Sequence, residues 1–106
     1  MTEPAETPTI DHAFTGGRKG PAHDPTYAGA LSFMRRRYSK DVAGCDLAIW
    51  GVPFDLAVSN RPGTRFGPQA MRRVSAIFDG DAQYPSRVDP FEILAAVDYG
   101  DCMLPR

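Results

Sequence analysis

The stretch that decides the fold is DLAIWGVPFDLAVSNRPGTRFGPQAMRRVS, Asp46 to Ser75. Its first seven residues, Asp46 to Val52, form a nearly continuous apolar run without strict alternation. Such a run is expected of a strand buried on both faces, as in the centre of a parallel sheet. Pro53 ends it, because a proline cannot donate to a ladder. Phe54 to Gly67 then reads as a loop. Within it, Asn60-Arg61-Pro62-Gly63 is a turn signal, with Pro62 setting its own φ and Gly63 free to take a positive one. Gly67 and Pro68 start a helix, where the missing proline N–H costs nothing. From there Ala70, Met71, Val74, Ile77 and Phe78 make one apolar stripe. Gln69, Arg72, Arg73 and Asp79 are expected on the opposite side, and Gly80 is the expected stop.

Working outward, Ile93 to Tyr99 reads as a second strand, reached through a loop from Gly80 to Pro90. Strand, helix and strand in that order make a crossover unit and predict an α/β protein with a parallel or mixed sheet. A parallel sheet needs cover on both faces, and one helix covers only one face of two strands. The 106 residues are therefore expected to be the opening of a larger domain, incomplete as given.

Tyr27 to Asp41 is ambiguous. Tyr27, Ala30, Leu31, Met34 and Tyr38 fall near helical spacing, which would leave Arg35-Arg36-Arg37 on or beside a solvated face. Residues 1–26 are rich in Pro, Gly, Thr and charge and show no sustained period. They are expected to be a flexible arm, with 27–106 as the N-terminal part of the domain.

Composition narrows the function classes. The chain is 42% hydrophobic and 24% charged with a net charge of −1, which gives no electrostatic case for nucleic acid or an anionic membrane. No apolar run approaches the roughly 20 residues of a membrane span, and no signal-peptide core follows the acidic N-terminus, so a cytoplasmic location is expected. Cys45 and Cys102 form no disulfide framework or Cys-x-x-Cys pair and are expected to be buried free thiols. His12 and His23 lie in the arm, where nothing would orient them as a metal pair.

The run Gly51-Val-Pro-Phe-Asp55, then Ser59-Asn-Arg-Pro-Gly-Thr-Arg-Phe-Gly-Pro68, then Met71-Arg72 and Ser75, resembles the ureohydrolase superfamily, its agmatinase branch above all. Gly29 to Arg35 and Val97-Asp98-Tyr99-Gly100-Asp101 fit the same family in order. The resemblance implies a three-layer fold with a parallel sheet between helices, arranged here as arm, strand, loop, helix and strand. It implies hydrolysis of a small linear guanidino substrate, agmatine or a guanidino acid, to urea and an amine, with two manganese ions activating water. It further implies a homo-oligomer. The family's ligand motifs, Gly-Gly-Asp-His, Asp-Ala-His-x-Asp and Ser-x-Asp-x-Asp-x-x-Asp-Pro, are all absent. No metal ligand and no catalytic residue is therefore assigned here, and no cofactor is expected to bind this chain alone.

The resemblance departs at Arg37, where many relatives have a proline and run extended. An irregular approach to the first strand is therefore preferred over a helix for Tyr27 to Tyr38. Asn60, Arg61 and Arg65 sit between a strand's carboxyl end and a helix's N-terminus, where ligands gather in α/β sheets. They are expected at a substrate entrance or a subunit contact, or else to tie the loop to the body, since arginine repels a guanidinium substrate. Pro62, Gly63, Gly67 and Pro68 are assigned the turn and the helix start. Asp98 and Asp101, at the next strand's exit, are read either as supporting a site or as capping the following loop. The alternative to a hydrolase portion is a non-catalytic remnant or accessory chain that packs on a full-length homologue.

Overall fold

In a computed structural model, residues 11–77 and 84–104 are described. The elements in chain order are helix α1 (His12–Thr15), a 3₁₀ turn over Phe33–Arg35, strand β1 (Arg37–Tyr38), strand β2 (Leu47–Gly51), a 3₁₀ turn over Thr64–Phe66, helix α2 (Gly67–Ser75), helix α3 (Pro90–Ile93) and strand β3 (Ala96–Asp101). The strands form one parallel sheet in the order β1-β3-β2. The α/β fold with a parallel sheet is as the sequence predicts.

The centre of that sheet is not where the apolar run points. β3 lies between the other two, and Ala96, Val97 and Asp98 in it are fully buried. β2, expected to be central, lies at the edge, with Trp50 54% exposed and Leu47 and Val52 also open. The reason is topological. The crossover through α2 returns the chain beside β2, and β1 takes the far side of β3, so among the described residues the other flank of β2 has no strand. β3 also starts later than expected, at Ala96. Asp89 caps the preceding turn by accepting from the Phe91 N–H (3.0 Å), and Pro90 opens that turn, so Pro90–Ile93 is helical instead of extended.

Helix α2 forms as predicted from Gly67 and is followed by a turn at Ala76 and Ile77. Phe78, Asp79 and the expected stop at Gly80 lie outside the described residues. Its orientation reverses the expectation. Met71, Val74 and Ile77 are 64%, 67% and 71% exposed, whereas Arg72 is buried. Arg72 points inward because β3 carries a carboxylate that must be neutralised. Its Nε donates to Asp98 Oδ2 (2.7 Å), and its Nη2 donates to Asp98 Oδ1 (3.0 Å) and the Gly100 carbonyl (3.1 Å). Its Nη1 is ion-paired with Asp101 Oδ1 at 2.9 Å.

Asp98 also accepts from the N–H groups of Phe33 (2.7 Å) and Gly100 (2.9 Å). Burial pushes its carboxyl pKa up, but Arg72 and these two amides outweigh burial and hold it below the ordinary value. The same contacts raise the Arg72 pKa, with Asp98 the largest cause.

The arginine triplet is not a solvated face either. The stretch from Tyr27 is irregular up to the Phe33–Arg35 turn, as the resemblance implies. Arg35 and Arg36 are buried. Arg35 pairs with Asp24 (3.4 Å) and donates to the Ala30 and Pro25 carbonyls. Arg36 lies over the Phe91 ring at 4.5 Å. Over its described part, residues 11–26, the stretch read as a flexible arm lies against this body. The Gly20 N–H donates to the Phe91 carbonyl (2.7 Å), and the Ala96 N–H donates to the Arg18 carbonyl (3.0 Å). Acidic residues contribute to the docking, since Asp24 pairs with Arg35 and Asp11 accepts from the Ala30 N–H. Cys45 and Cys102 are free thiols, half-buried instead of buried.

Removing Arg72 strands a buried carboxylate. Arg72→Ala is expected to lower unfolding stability by about 3–5 kcal/mol, read as a fall in the urea midpoint. Because the Asp98 pKa is depressed, its contribution is complete above the ordinary aspartate range. It is lost as pH falls below about 4. The wild-type midpoint is therefore expected to drop on acidification more steeply than that of Asp98→Asn, and parallel curves would contradict this assignment.

Candidate functional site

The loop from Val52 to Phe66 leaves the carboxyl end of β2 and returns at the start of α2, the position where open α/β sheets bind ligands. Its base is a close junction. Gly51 has no side chain, and a Cβ there would run into the Asp101 carboxylate and the Pro68 ring. The Cys102 N–H donates to the Gly51 carbonyl (2.8 Å), which ties the exits of β2 and β3 together. Pro68 falls in the first turn of α2. Gly67 and Pro68 thus start the helix as expected, and Pro68 also closes the junction.

The outer part of the loop is organised by Asp55, which the sequence reading did not single out. Its side chain is buried, and Oδ2 accepts from the N–H groups of Gly63 (2.7 Å) and Arg65 (3.4 Å). Oδ1 accepts from Arg65 Nε at 2.7 Å. The Gly63 amide, first among these causes, together with Arg65, holds the Asp55 carboxyl below its usual range against the opposing effect of burial. Gly63 takes φ +130, a conformation that side-chain-bearing residues avoid, and its carbonyl accepts from the Phe66 N–H (3.0 Å) to open the Thr64–Phe66 turn.

Of the three residues expected at an entrance or contact, Arg65 turns back onto Asp55 and ties the loop together, with its guanidinium still half-exposed. Asn60 and Arg61 are exposed at the loop's outer end. The structure therefore does not bring the three together on one point. A cleft beside the loop is lined by Phe54, Asp55, Arg65, Asp101 and Cys102. Two carboxylates and one guanidinium there leave a net negative charge among largely apolar walls, which does not suit an anion. Asp98 and Asp101 do not cap the following loop; they clamp Arg72. One signal in the sequence points to that clamp. An aspartate inside the apolar run Ile93 to Tyr99 must find a buried cation or several donors. For Asp55 the signal is fainter: a carboxylate just past a strand end, ahead of a Gly-bearing turn with free amides.

With this geometry described, comparison with known proteins locates it. The family model described as "Arginase family" matches residues 45–106, the strand, loop, helix and second strand together. This chain belongs to the arginase family. Within it, the similarity runs to the agmatinase branch. The chain is 54% identical over 86 residues to a protein named agmatinase from Chromobacterium violaceum, a match covering 81% of this chain and 27% of that one. It is 38% identical to proclavaminate amidinohydrolase of Streptomyces clavuligerus, covering 76% and 25%. The crystal structure of a hypothetical agmatinase from Burkholderia thailandensis superposes with a TM-score of 0.83 at 44% identity, over 91% of this chain and 31% of that chain. This arginase-family chain thus spans about a quarter of the length of the curated relatives it matches.

Asp55→Asn removes the carboxylate that collects the loop's amides. Hydrogen exchange at the Gly63 and Arg65 amides is expected to accelerate at least about tenfold, a loss of order 1–2 kcal/mol of local hydrogen bonding, while the Ser39 and Cys102 amides of the sheet keep their rates. Unchanged exchange at Gly63 would show that another group shapes the turn.

Proposed function

We propose that this chain is the N-terminal portion of an agmatinase-like hydrolase that cleaves the guanidino group of a small linear substrate to urea and an amine. The observation that carries the reading is the 54% identity to a protein named agmatinase over most of this chain. The substrate class is agmatine or a guanidino acid. Proclavaminate amidinohydrolase, by its name, takes an amidino compound, so relatives of this chain are not confined to one substrate.

For the whole protein the reading includes two manganese ions, which when bound supply activation of water. Among the described residues no three His, Cys, Asp or Glu side chains converge on a point. The residues present do not fit the role of metal holder, and no hydrolytic step is assigned to them. Their proposed part is to build one wall of the site, with the loop of Asn60, Arg61 and Arg65 at the entrance or at a subunit contact. The reading also takes the protein to be a homo-oligomer in the cytoplasm, with no nucleic-acid or membrane partner. The net charge of −1 supports the exclusion of nucleic acid, and no helix among the described residues is long and apolar enough to cross a membrane.

A second reading, an accessory chain packing on a full-length homologue, is favoured by the open stripe of Met71, Val74 and Ile77 and the edge position of β2. The two separate on mass and activity. The protein isolated from its source is expected to have several times the 11.6 kDa of this chain and to release urea from agmatine or 4-guanidinobutyrate with manganese. An 11.6 kDa protein that co-purifies with a longer relative and is itself inactive supports the accessory reading instead. Urea release by the isolated 106-residue chain would overturn the view that the metal holders lie outside the described residues.

A further inference from the structure

The segment from Asp11 to Gly20 docks on the body mostly through polar contacts. Ala13 is its one fully buried apolar residue among those described, and Phe14 remains exposed. The attachments include the two backbone hydrogen bonds to Phe91 and Ala96, the Ala30 N–H donating to Asp11 (2.6 Å), Arg37 Nη1 donating to the Gly16 carbonyl (2.8 Å), and Arg18 Nη2 donating to the Asp41 carbonyl (3.0 Å) and paired with its carboxylate (3.4 Å). A segment held this way sits at the low end of local stability. It also forms part of a wall. Ala13 and Phe14 line one side of a cleft of about 410 Å³ whose other side includes Tyr38, Gln69, Arg72 and Asp101.

The weak point of the docking is His12. Its ring packs on Gly16 so closely that a Cβ there would collide with it. Its Nε2 is buried and has no hydrogen-bond partner. A neutral imidazole tolerates that position, but a charged one leaves a buried N–H⁺ with nothing to donate to. The groups around it do not rescue the charge. Arg36, from the approach to β1, repels it, as does His23, while Asp24 and a hydrogen bond with the Gly17 backbone favour it. Arg37, next along β1, adds a further cation at the Gly16 carbonyl. Burial and then Arg36 prevail, so the His12 pKa lies below its ordinary value of 6.5.

We propose that α1 and the residues following it to Gly20 form a latch on the cleft, closed while His12 is neutral and released when His12 is protonated. The sign follows from linkage. A histidine whose docked pKa is depressed contributes fully above its ordinary pKa of 6.5, and that contribution is lost as pH falls from there through the docked value, below which both states carry the proton. Release frees the Ala96 amide and the Phe91 carbonyl and removes the Ala13 and Phe14 wall, exposing the Arg72–Asp101 side of the cleft. The inference is independent of the reaction the whole protein performs.

Amide hydrogen exchange of the 106-residue chain, corrected for intrinsic rates, tests it. Gly20 and Ala96 report the latch, and Ser39 and Cys102, whose amides bond within the sheet and its exit, report the body. Between pH 8 and 5, protection at Gly20 and Ala96 is expected to fall with a limiting slope of about tenfold per pH unit, one proton's worth. Ser39 and Cys102 are expected to keep theirs. His12→Gln, neutral throughout, is expected to abolish the slope, and His23→Gln to leave it in place. Four results overturn the proposal: a flat wild-type profile, an equal slope in His12→Gln, body reporters falling in step with the latch, or no protection at Gly20 and Ala96 even at pH 8.

Discussion

The Arg72–Asp98 ion pair is the contact on which the other elements depend. Taking both charges out of water is costly, and Coulomb attraction repays it only when geometry is good and the remaining lone pairs are filled. Here they are filled. Asp98 receives two donors from Arg72 and one each from the Phe33 and Gly100 amides, while Arg72 adds contacts to Gly100 and Asp101. One carboxylate thereby connects α2, the turn before β1 and the exit of β3. The apolar core among the described residues is small, being Ala13, Ala76, Phe91, Ala95, Ala96 and Val97. Such a core constrains register weakly. A one-residue slip of β3 would turn Asp98 to the opposite face and leave two buried charges unpaired, so the polar clamp sets the register that the alanines do not.

The same clamp accounts for the orientation of α2. A helix with Ala70, Met71, Val74 and Ile77 on one side would, on hydrophobicity alone, turn that side to the sheet. It turns Arg72 instead, and three large apolar side chains stand in solvent. Leaving Asp98 buried without its cation would cost about 3–5 kcal/mol, which holds Arg72 inward although the stripe stays open. The pairing does not remove the need to cover the stripe. With the outer flank of β2, the stripe is an apolar surface left open among the described residues of a chain that spans about a quarter of its relatives' length. The polar edge of α2 serves the sheet while its apolar face stays open.

This explains which parts of the structure were legible. The strand–loop–helix of Leu47 to Ser75 could be read because its signals are local: Pro53, Pro62, Gly63 and Pro68 act through their own φ. The parallel sheet followed from element order. What could not be read was non-local. The place of β3 in the centre depends on β1, two residues too short to carry a period. The inward turn of Arg72 depends on a carboxylate 26 positions away. Arg35 and Arg36 read as solvated charge because arginine usually is; their burial rests on Asp24 and Phe91, which pattern alone does not bring to them. At the loop, Arg65 stands out in the sequence and its partner Asp55 does not, since an isolated carboxylate near a turn has many uses.

The candidate site inherits its order from two separate anchors, and their separation matters for function. At the base, Gly51, Pro68, Asp101 and Cys102 fix where the loop leaves and rejoins the sheet. Farther out, Asp55 fixes its shape through the Gly63 and Arg65 amides. A loop held only at its base would have to order its outer part on meeting a ligand or another subunit, at a cost of roughly 1–2 kcal/mol for each residue fixed. With Asp55 in place that ordering is already done at Gly63 and Arg65, next to the exposed Asn60 and Arg61. Asn60 and Arg61 lie just ahead of the Gly63 amide that the buried Asp55 carboxylate fixes.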